Sequence, residues 1–275
     1  MRIATTGSSG LIGSALLPFL AASGHEVVRV PRGEFAIANS CDAVVHLAGE
    51  NIAGRWTAAK KRKIHESRKQ GTRALCEVLK RPRVLVCASA IGIYGDRGEE
   101  LLTEESATGR GFLADVCRDW EAATEPAVRA GIRVVNLRIG VVLSPRGGAL
   151  GKTLPLFKLG LGGIVGDGRQ YWSWIVIDDM VAVILRSLTD ERLRGPVNAV
   201  APNPVTNREY TKTLGCVLSR PTVFPLPAFV ARLAFGEMAD AVLLASARVQ
   251  PKRLQESGYK FLFPNLEGAL RHLLV

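Results

Sequence analysis

Short apolar segments alternate along the chain with longer segments in which apolar residues recur at helical spacing. The segments that predict strands are residues 2–6, 25–30, 42–49, 83–90, 133–139, 174–177 and 197–200. Between them, Leu113, Val116 and Trp120 are one example of apolar residues that share a helical face. Strands that alternate with helices predict a parallel sheet with helices on both faces. We therefore predict a doubly wound α/β fold.

The first strand ends in a glycine-rich turn. Thr6 is followed by glycines at positions 7, 10 and 13, and a helical pattern continues to Gly24. Such a turn directs free backbone N–H groups, and the positive end of the helix, at a diphosphate. The three glycines permit a sharp turn, close approach of the pyrophosphate, and close packing of the helix on the strand. The predicted dinucleotide-binding residues are Gly7, Ser8, Ser9, Gly10, Leu11, Ile12 and Gly13.

The end of the second strand distinguishes NADP from NAD. An acidic residue there binds the ribose 2′-hydroxyl of NAD, whereas an arginine accommodates the 2′-phosphate of NADP. Residues 31–33 are Pro-Arg-Gly, and Glu34 is the only acidic residue nearby. Arginine suits bidentate contacts with phosphate. We predict that NADP is the cofactor and that Arg32 pairs with its 2′-phosphate, with Arg29 as the weaker candidate.

The third predicted strand ends in small or apolar residues. Leu47, Ala48 and Gly49 permit the close approach of an adenosine ribose, and we count them among the cofactor-binding residues. His46 lies inside the strand, so we interpret it as a core histidine with satisfied hydrogen bonds. Residues 33–41 are too few for a full crossover helix and predict a loop or a single helical turn.

The composition limits the classes of function. The chain has 275 residues, 47% of them apolar, and a formal net charge of +11. The densest basic cluster lies at residues 55–73, which raises the question of nucleic-acid binding. However, Ile64, Gly71 and Leu75 fall at helical spacing, and no aromatic stacking platform accompanies the cluster. We interpret it as the solvated face of an amphipathic helix and expect a small anionic ligand, not a nucleic acid.

Further features concern the compartment and the oligomeric state. No apolar run approaches the ~20 residues that a membrane helix needs, and no secretory signal precedes the first strand. The five cysteines, Cys41, Cys76, Cys87, Cys117 and Cys216, show no metal-ligand spacing. Reduced thiols of this kind are typical of the cytoplasm. We expect a cytoplasmic monomer or homodimer with no metal and no membrane partner.

The glycine spacing T-G-x-x-G-x-x-G resembles the extended branch of the short-chain dehydrogenase/reductase superfamily. Further motifs resemble one part of that branch, the epimerase family, and lie at residues 46–52, 55–57, 64–68, 109–114, 120–121, 138–143, 159–163, 166–170, 174–175, 178–179 and 225–227. The resemblance runs essentially end to end and implies a Rossmann fold that binds NADP. We assign residues 1–142 and 175–201 to the NADP-binding domain, and residues 143–174 and 202–275 to a small, mostly helical cap interleaved with it.

The resemblance also implies roles for particular residues. Lys63 and Arg68 lie on a helix that faces the cofactor, where we expect them to touch the NADP phosphates. Gly140 is expected beside the nicotinamide. Extended members place a serine or threonine at the end of the fourth strand, where its hydroxyl polarises the substrate oxygen. Ser89 is the candidate for this catalytic and cofactor-facing position, and Ala90 takes it in the alternative register.

The catalytic pair of the superfamily is absent. Its members use a tyrosine followed four positions later by a lysine, which lowers the tyrosine pKa. In this chain Tyr94, Tyr171, Tyr210 and Tyr259 are followed at that distance by Gly98, Ile175, Leu214 and Phe263. The helix expected to carry the pair, residues 112–120, is present without it. Proton transfer then falls to Tyr94, to the substrate or to water.

Several other polar residues have structural or open interpretations. We expect Arg138 to be held by a structural hydrogen bond, and Asp178 or Asp179 to cap the helix that follows. Lys152, Gln170, Tyr171 and Trp172 lie in a glycine-rich excursion and either face a substrate or serve the fold.

Two functions are consistent with these features. The first is an NADP-dependent oxidoreductase, or a nucleotide-sugar-epimerase-like enzyme, that acts on an unidentified small carbonyl or sugar compound. The second is a catalytically silent NADP-binding sensor or partner-binding protein. The intact glycine turn fits both functions; the absent tyrosine and lysine suit the second, whereas the resemblance to the superfamily favours the first.

Overall fold

The computed structural model describes residues 1–275. The strands are β1 (Arg2–Thr6), β2 (Glu26–Arg29), β3 (Ala43–His46), β4 (Val84–Ala90), β5 (Leu101–Leu102), β6 (Arg133–Ile139), β7 (Val141–Leu143), β8 (Tyr171–Trp172), β9 (Trp174–Val176), β10 (Gly195–Ala199), β11 (Val205–Thr206) and β12 (Arg248–Val249). The helices are α1 (Leu11–Ala22), α2 (Ala58–Val78), α3 (Phe112–Ala122), α4 (Glu125–Arg129), α5 (Gly148–Lys158), α6 (Ile177–Thr189), α7 (Asn207–Leu218), α8 (Ala228–Phe235), α9 (Lys252–Glu256) and α10 (Leu266–Leu274).

Six parallel strands form the central sheet, in the order β10-β6-β4-β3-β1-β2. The chain runs outward from β1 to β2 and then crosses back to β3 on the other side of β1. The strand order therefore reverses between β1 and β3, and this reversal opens a crevice at the carboxyl ends of these strands, where open α/β sheets bind ligands. The predicted doubly wound Rossmann fold is confirmed.

Helices cover both faces of the sheet because the strand residues alternate in direction. Ile3 belongs to a buried cluster with Leu16 of α1 and Val183 of α6. Its neighbour Ala4 belongs to a cluster on the opposite face, with Leu75 of α2. This period of two is the property of a strand buried on both faces, and it explains why β1 consists almost entirely of apolar residues and threonines.

The connection from β2 to β3 is short, as predicted. Residues Phe35–Ser40 form a 3₁₀ helix, with Ala38 buried in the cluster that contains Ala4. A single such segment is enough because only β1 separates β2 from β3 in the sheet. A second 3₁₀ helix, Ile91–Tyr94, follows β4.

The segment predicted to return to the central sheet at residue 174 does not do so. Strand β9 pairs in parallel with β7, with Val141 opposite Trp174, in a separate two-stranded sheet. The chain leaves the central sheet at Gly140, where the N–H of Val141 donates to the carbonyl of Ser173. The prediction was wrong because the local apolar pattern of a strand does not reveal its partner.

The predicted capping role of Asp178 or Asp179 is also wrong. Helix α6 begins at Ile177, and no side chain caps it. The buried carboxylate of Asp179 instead accepts the hydroxyl of Tyr259 at 3.0 Å and the N–H groups of Leu262 and Phe263 at 2.9 and 3.0 Å. Asp179 therefore ties the C-terminal segment to α6.

The cap has its own apolar cluster. Trp174 and Leu143 pack there with Leu214 of α7 and Leu270 of α10. Helix α7 begins with a capping box, in which Thr206 and Glu209 satisfy each other's backbone N–H groups. Judged by length and hydropathy, none of the helices qualifies as a membrane span.

Candidate functional site

The glycine turn between β1 and α1 has no room for side chains at two positions. Gly7 adopts φ +68°, and a Cβ there would lie 2.6 Å from the carbonyl carbon of Leu47. A Cβ at Gly13 would lie 2.3 Å from the carbonyl oxygen of Gly7. Gly10 precedes α1 without a side-chain cap, so the first N–H groups of the helix remain available for an anion.

A cavity of about 900 Å³ opens beside this turn, and we call it the dinucleotide cavity. Among the predicted cofactor residues, its lining includes Gly7, Ser8, Ser9, Arg32, Ala48, Gly49 and Lys63. Leu47 and the other residues of the turn do not line it: Gly10 precedes α1, and Leu11, Ile12 and Gly13 form the first turn of that helix. The crevice predicted from the strand order, the glycine turn and the end of β3 thus meet in one place.

Two cations stand at the dinucleotide cavity without a carboxylate contact. Arg32 and Lys63 both line it and form no ion pair, whereas Lys60 binds Glu50 at 2.6 Å. The hydrogen bond from Lys60 lowers the pKa of Glu50 most, and Lys63 and Arg32 lower it further. Both cations therefore lie within electrostatic range of the same carboxylate. Arg29, the weaker candidate, is exposed and does not line the cavity.

The basic face of α2 is largely occupied by acidic partners. Lys61 binds Glu237 at 2.9 Å, and Lys69 binds Asp119 at 2.9 Å. These pairs join α2 to the cap and to α3. Lys63 differs from its neighbours because it faces the cavity.

His46 is a core histidine, as predicted. Its Nδ1 lies 2.7 Å from the hydroxyl of Thr6, and its Nε2 lies 3.0 Å from the hydroxyl of Thr72. Burial lowers its pKa from 6.5 to about 4, so the ring is neutral at pH 7. It links β3 to β1 and α2.

A second cavity, of about 500 Å³, lies between the sheet domain and the cap, and we call it the apolar cavity. Of its 27 lining residues, 17 are hydrophobic, which makes it a site for an apolar molecule. Leu113 and Cys117, four residues apart on α3, both line it. Burial raises the pKa of Cys117 to about 12, so its thiol is neutral and does not replace a cationic lysine.

The two predicted catalytic residues do not line the apolar cavity. Ser89 is buried, and its hydroxyl donates to Glu121 at 2.8 Å. Tyr94 is fully buried, donates to Asn198 at 2.7 Å and accepts from Arg138 at 2.9 Å. Burial raises the pKa of Tyr94. Consecutive strand residues point to opposite faces, and Ala90, the alternative to Ser89, is the one that lines the cavity.

Arg138 has the structural role that the sequence predicted. Its guanidinium forms a two-point ion pair with Glu121, at 2.9 and 3.0 Å, beside the hydroxyl of Tyr94. Both side chains are nearly buried, so the pair anchors β6 to α3 and does not reach a substrate.

Arg68 does not join Lys63. It lines the apolar cavity, and Nη1 donates to the carbonyls of Glu50 and Ile64 at 3.0 and 3.2 Å. Five residues on an α-helix correspond to about 140° of rotation, so the two side chains leave the helix in different directions. The guanidinium of Arg68 also lies beside Gly49 of the dinucleotide cavity, because a Cβ at Gly49 would lie 3.4 Å from its Cζ. The contact of Lys63 and Arg68 with the cofactor phosphates stays a prediction.

The glycine-rich excursion contributes only part of what we expected. Tyr171 and Trp172 line the apolar cavity, whereas Lys152 does not. The side chain of Gln170 is buried and donates to the carbonyls of Val165 and Leu243. Gln170 therefore serves the fold.

Gly140 also lines the apolar cavity. A Cβ there would lie 2.5 Å from the carbonyl oxygen of Ser173, so the backbone crossing between β6 and β9 requires glycine.

Sequence reasoning missed several lining residues. Glu66, Ser67 and Gln70 line the dinucleotide cavity one turn or two after Lys63. Their spacing of three, four and seven residues places them on the same helical face as Lys63, and this signal was present in the sequence. Ala241 and Val242, in a π-helix at Ala239–Leu244, line the apolar cavity, and no local pattern indicated this.

The chain resembles known proteins over its whole length. A family model described as NAD dependent epimerase/dehydratase family matches residues 3–199, and a domain of unknown function matches residues 226–273. An epimerase family protein of Mycobacterium bovis is 43% identical, over 98% of this chain and 96% of the relative.

Two solved structures are also similar. Human epimerase family protein SDR39U1, crystallised with NADPH, is 34% identical and has a TM-score of 0.94, with 99% of each chain covered. A nucleoside-diphosphate sugar epimerase from Corynebacterium glutamicum is 38% identical with a TM-score of 0.82, covering 100% of this chain and 58% of that one. From these matches and its fold, the chain belongs to the NAD dependent epimerase/dehydratase family, as an extended short-chain dehydrogenase/reductase.

Proposed function

We propose that this protein is an NADP-dependent oxidoreductase that reduces a carbonyl compound in the apolar cavity. The observation that carries the proposal is the dinucleotide cavity, in which a turn with no room for a Cβ at Gly7 and Gly13 lies beside two unpaired cations, Arg32 and Lys63. The human relative crystallised with NADPH supports the choice of cofactor.

The residues of the dinucleotide cavity fit NADP. Because Gly7 and Gly13 have no Cβ, the backbone packs closely in the turn. The N–H groups at the start of α1 can therefore approach a diphosphate. Arg32 and Lys63 would hold the 2′-phosphate, and Leu47, Ala48 and Gly49 would lie along the adenosine ribose. Gly140 would lie beside the nicotinamide, which supplies a hydride when bound.

The apolar cavity would hold the substrate. Its largely hydrophobic lining would lower the polarity around the place where the hydride is transferred. Neither Ser89 nor Tyr94 can donate a proton there, because both hydroxyls are engaged in the buried network around Arg138. The proton would come from water or from the substrate, and a missing general acid reduces the rate by about 10²–10⁴.

A catalytically silent NADP-binding protein is the second candidate. The observation that favours it is the pair Leu113 and Cys117, which face the cavity with a hydrocarbon group and a neutral thiol. A sensor needs the dinucleotide cavity and no proton donor. The sheet fold alone does not distinguish the two functions.

One experiment separates the two candidates. NADPH binding to the purified protein is measured by fluorescence, and NADPH oxidation is then followed with sugars, aldehydes and quinones. Turnover of any of them above the rate of a protein-free control supports the oxidoreductase. Tight binding of NADPH with no turnover supports the silent protein, and no binding contradicts both.

A further inference from the structure

Arg68 places a positive charge at an apolar cavity with no carboxylate in contact. Only Nη1 of its guanidinium forms hydrogen bonds, both to main-chain carbonyls, so the N–H groups of Nε and Nη2 have no partner within the chain. The guanidinium also stacks over the ring of Trp120, with Cζ 4.8 Å from its centroid. The nearest acid, Glu50, is bound to Lys60.

An arrangement of this kind is costly unless a ligand completes it. Taking a charged group out of water requires hydrogen bonds to offset the lost hydration. Burial lowers the pKa of Arg68, but a guanidinium stays charged in a protein. Its free N–H groups therefore suit an oxygen that carries, or develops, negative charge.

The rest of the lining determines the shape and polarity of the molecule attached to that oxygen. Trp120 and Trp172 line the cavity together with aliphatic groups such as Ile52, Leu113 and Val116. Flat aromatic walls and aliphatic groups favour a planar apolar molecule.

The charged residues of the lining argue against a nucleotide sugar. They comprise two cations and three anions: Arg68, Arg110, Asp96, Glu237 and Asp240. A lining in which acidic groups outnumber basic groups disfavours a diphosphate, and sugar hydroxyls left against hydrophobic walls would lose their hydrogen bonds.

We propose that the apolar cavity binds planar conjugated carbonyl compounds of the quinone class, and that Arg68 binds the carbonyl oxygen. This proposal rests on the oxidoreductase function proposed above. Arg68 would bind the oxygen in the ground state and more strongly as negative charge develops on it.

The reaction balances without a tyrosine. When bound, the dinucleotide would supply a hydride to the quinone, which gives the hydroquinone monoanion directly if the hydride adds to oxygen, or after the ring C–H proton has moved to oxygen if it adds to a ring carbon. One proton from water then converts the monoanion, a phenolate, into the neutral hydroquinone. One NADPH is oxidised for each quinone reduced. Because a phenolate is a stable anion, Arg68 can hold it without an acid at the site.

The first test measures binding, independently of turnover. Naphthoate and naphthamide have nearly the same shape, and only naphthoate is charged. We expect the NADPH-loaded protein to bind naphthoate about tenfold or more tightly than naphthamide, and Arg68→Gln to remove that preference. Arg62→Gln is the matched control, because Arg62 lies exposed on the same helix and lines neither cavity.

The proposal is overturned if the two probes bind with equal affinity, or if Arg110→Gln instead of Arg68→Gln removes the preference for naphthoate. It is also overturned if naphthoate displaces NADPH. A large loss of NADPH affinity in Arg68→Gln also overturns it, because Arg68 would then serve the cofactor.

The second test measures NADPH oxidation with naphthoquinone. We expect kcat/KM to fall about tenfold or more in Arg68→Gln, while the Kd for NADPH changes less than about twofold. Turnover of a sugar or an aldehyde but not of naphthoquinone overturns this inference and leaves the oxidoreductase function intact. No turnover of any carbonyl, with NADPH bound, contradicts the proposed function itself.

Discussion

Glu121 holds Arg138 by two hydrogen bonds, from Nε at 2.9 Å and from Nη2 at 3.0 Å, inside the protein. The same carboxylate accepts the hydroxyl of Ser89, and Tyr94 accepts from the guanidinium. One acidic residue on α3 thus fixes β4, β6 and the segment after β4. The hydroxyls of Ser89 and Tyr94, the two predicted catalytic residues, are therefore both engaged in this network.

Loss of the Glu121 charge should destabilise the protein strongly. In Glu121→Gln the guanidinium of Arg138 stays buried with no counter-charge, which we expect to cost about 3–5 kcal/mol of unfolding free energy. Urea unfolding measures the change. The control is Glu125→Gln, which removes the partner of Arg129 in an exposed pair and should cost less than about 1 kcal/mol. Equal losses in the two variants would contradict a structural role for the buried pair.

Tyr94→Phe should reduce stability and leave function intact. The variant removes the hydroxyl that donates to Asn198 and accepts from Arg138, and leaving such buried groups unsatisfied costs about 1–3 kcal/mol. Urea unfolding and NADPH oxidation are measured on the same preparation. A loss of turnover at unchanged stability and unchanged NADPH affinity would restore Tyr94 as the acid.

The dinucleotide turn was predictable because its signal is local. Gly7 and Gly13 lie only six positions apart, and their backbone requirements follow from the strand before them and the helix after them. Arg32 was found in the same way, from its position at the end of a strand. These are short-range relationships that the chain order alone displays.

The orientation of neighbouring side chains was not predictable with the same certainty. Ser89 and Ala90 exchange faces when the register shifts by one residue, and the resemblance to extended members of the superfamily did not fix that register. The different directions in which Lys63 and Arg68 leave their helix follow from a spacing of five residues. The partner of Asp179 lies eighty residues further along the chain, at Tyr259, and no local pattern reveals such a contact.

Substitution of Gly13, the third glycine of the turn, should weaken cofactor binding. In Gly13→Ala the new Cβ would lie 2.3 Å from the carbonyl oxygen of Gly7, so the turn must move. We expect NADPH affinity to fall by more than about tenfold, which corresponds to about 1.4 kcal/mol. Fluorescence titration measures it.

Gly268→Ala provides the matched control for this turn. Gly268 lies in α10, and a Cβ there meets nothing within 4 Å. The helix should gain about 0.5–1 kcal/mol, with NADPH affinity unchanged. If both alanine variants bind NADPH like the unmodified protein, the turn does not hold the diphosphate.

Arg32→Ala should change cofactor preference. Removal of a charge-assisted contact with the 2′-phosphate costs about 1.5–3 kcal/mol, so the Kd for NADPH should rise about 10- to 100-fold. The Kd for NADH, which lacks that phosphate, should change less than about twofold. Arg29→Ala is the control, since Arg29 is a strand-end arginine outside the cavity lining. An equal rise for both dinucleotides would contradict the 2′-phosphate assignment.

The buried His46 should make the protein lose stability between pH 7 and pH 5. Burial lowers its pKa from 6.5 to about 4. As pH falls through this window, the unfolded chain therefore binds a proton at His46, and the folded protein does not. The lost unfolding free energy should be about 2 kcal/mol by pH 5. The loss should level off only below about pH 4, once the folded protein also binds the proton.

His46→Gln tests the assignment, because it removes the titrating ring and keeps a polar side chain near Thr6 and Thr72. Its unfolding free energy should be lower at pH 7 and nearly independent of pH between 7 and 5. Partly exposed His25 provides the control, and His25→Gln should retain the pH dependence. Carboxylates of lowered pKa, such as Asp190, lose their stabilising charge only at lower pH, and the raised pKa of buried Glu104 acts in the opposite direction, so a loss of stability in this window points to the histidine. A pH dependence that persists in His46→Gln would assign it to another group.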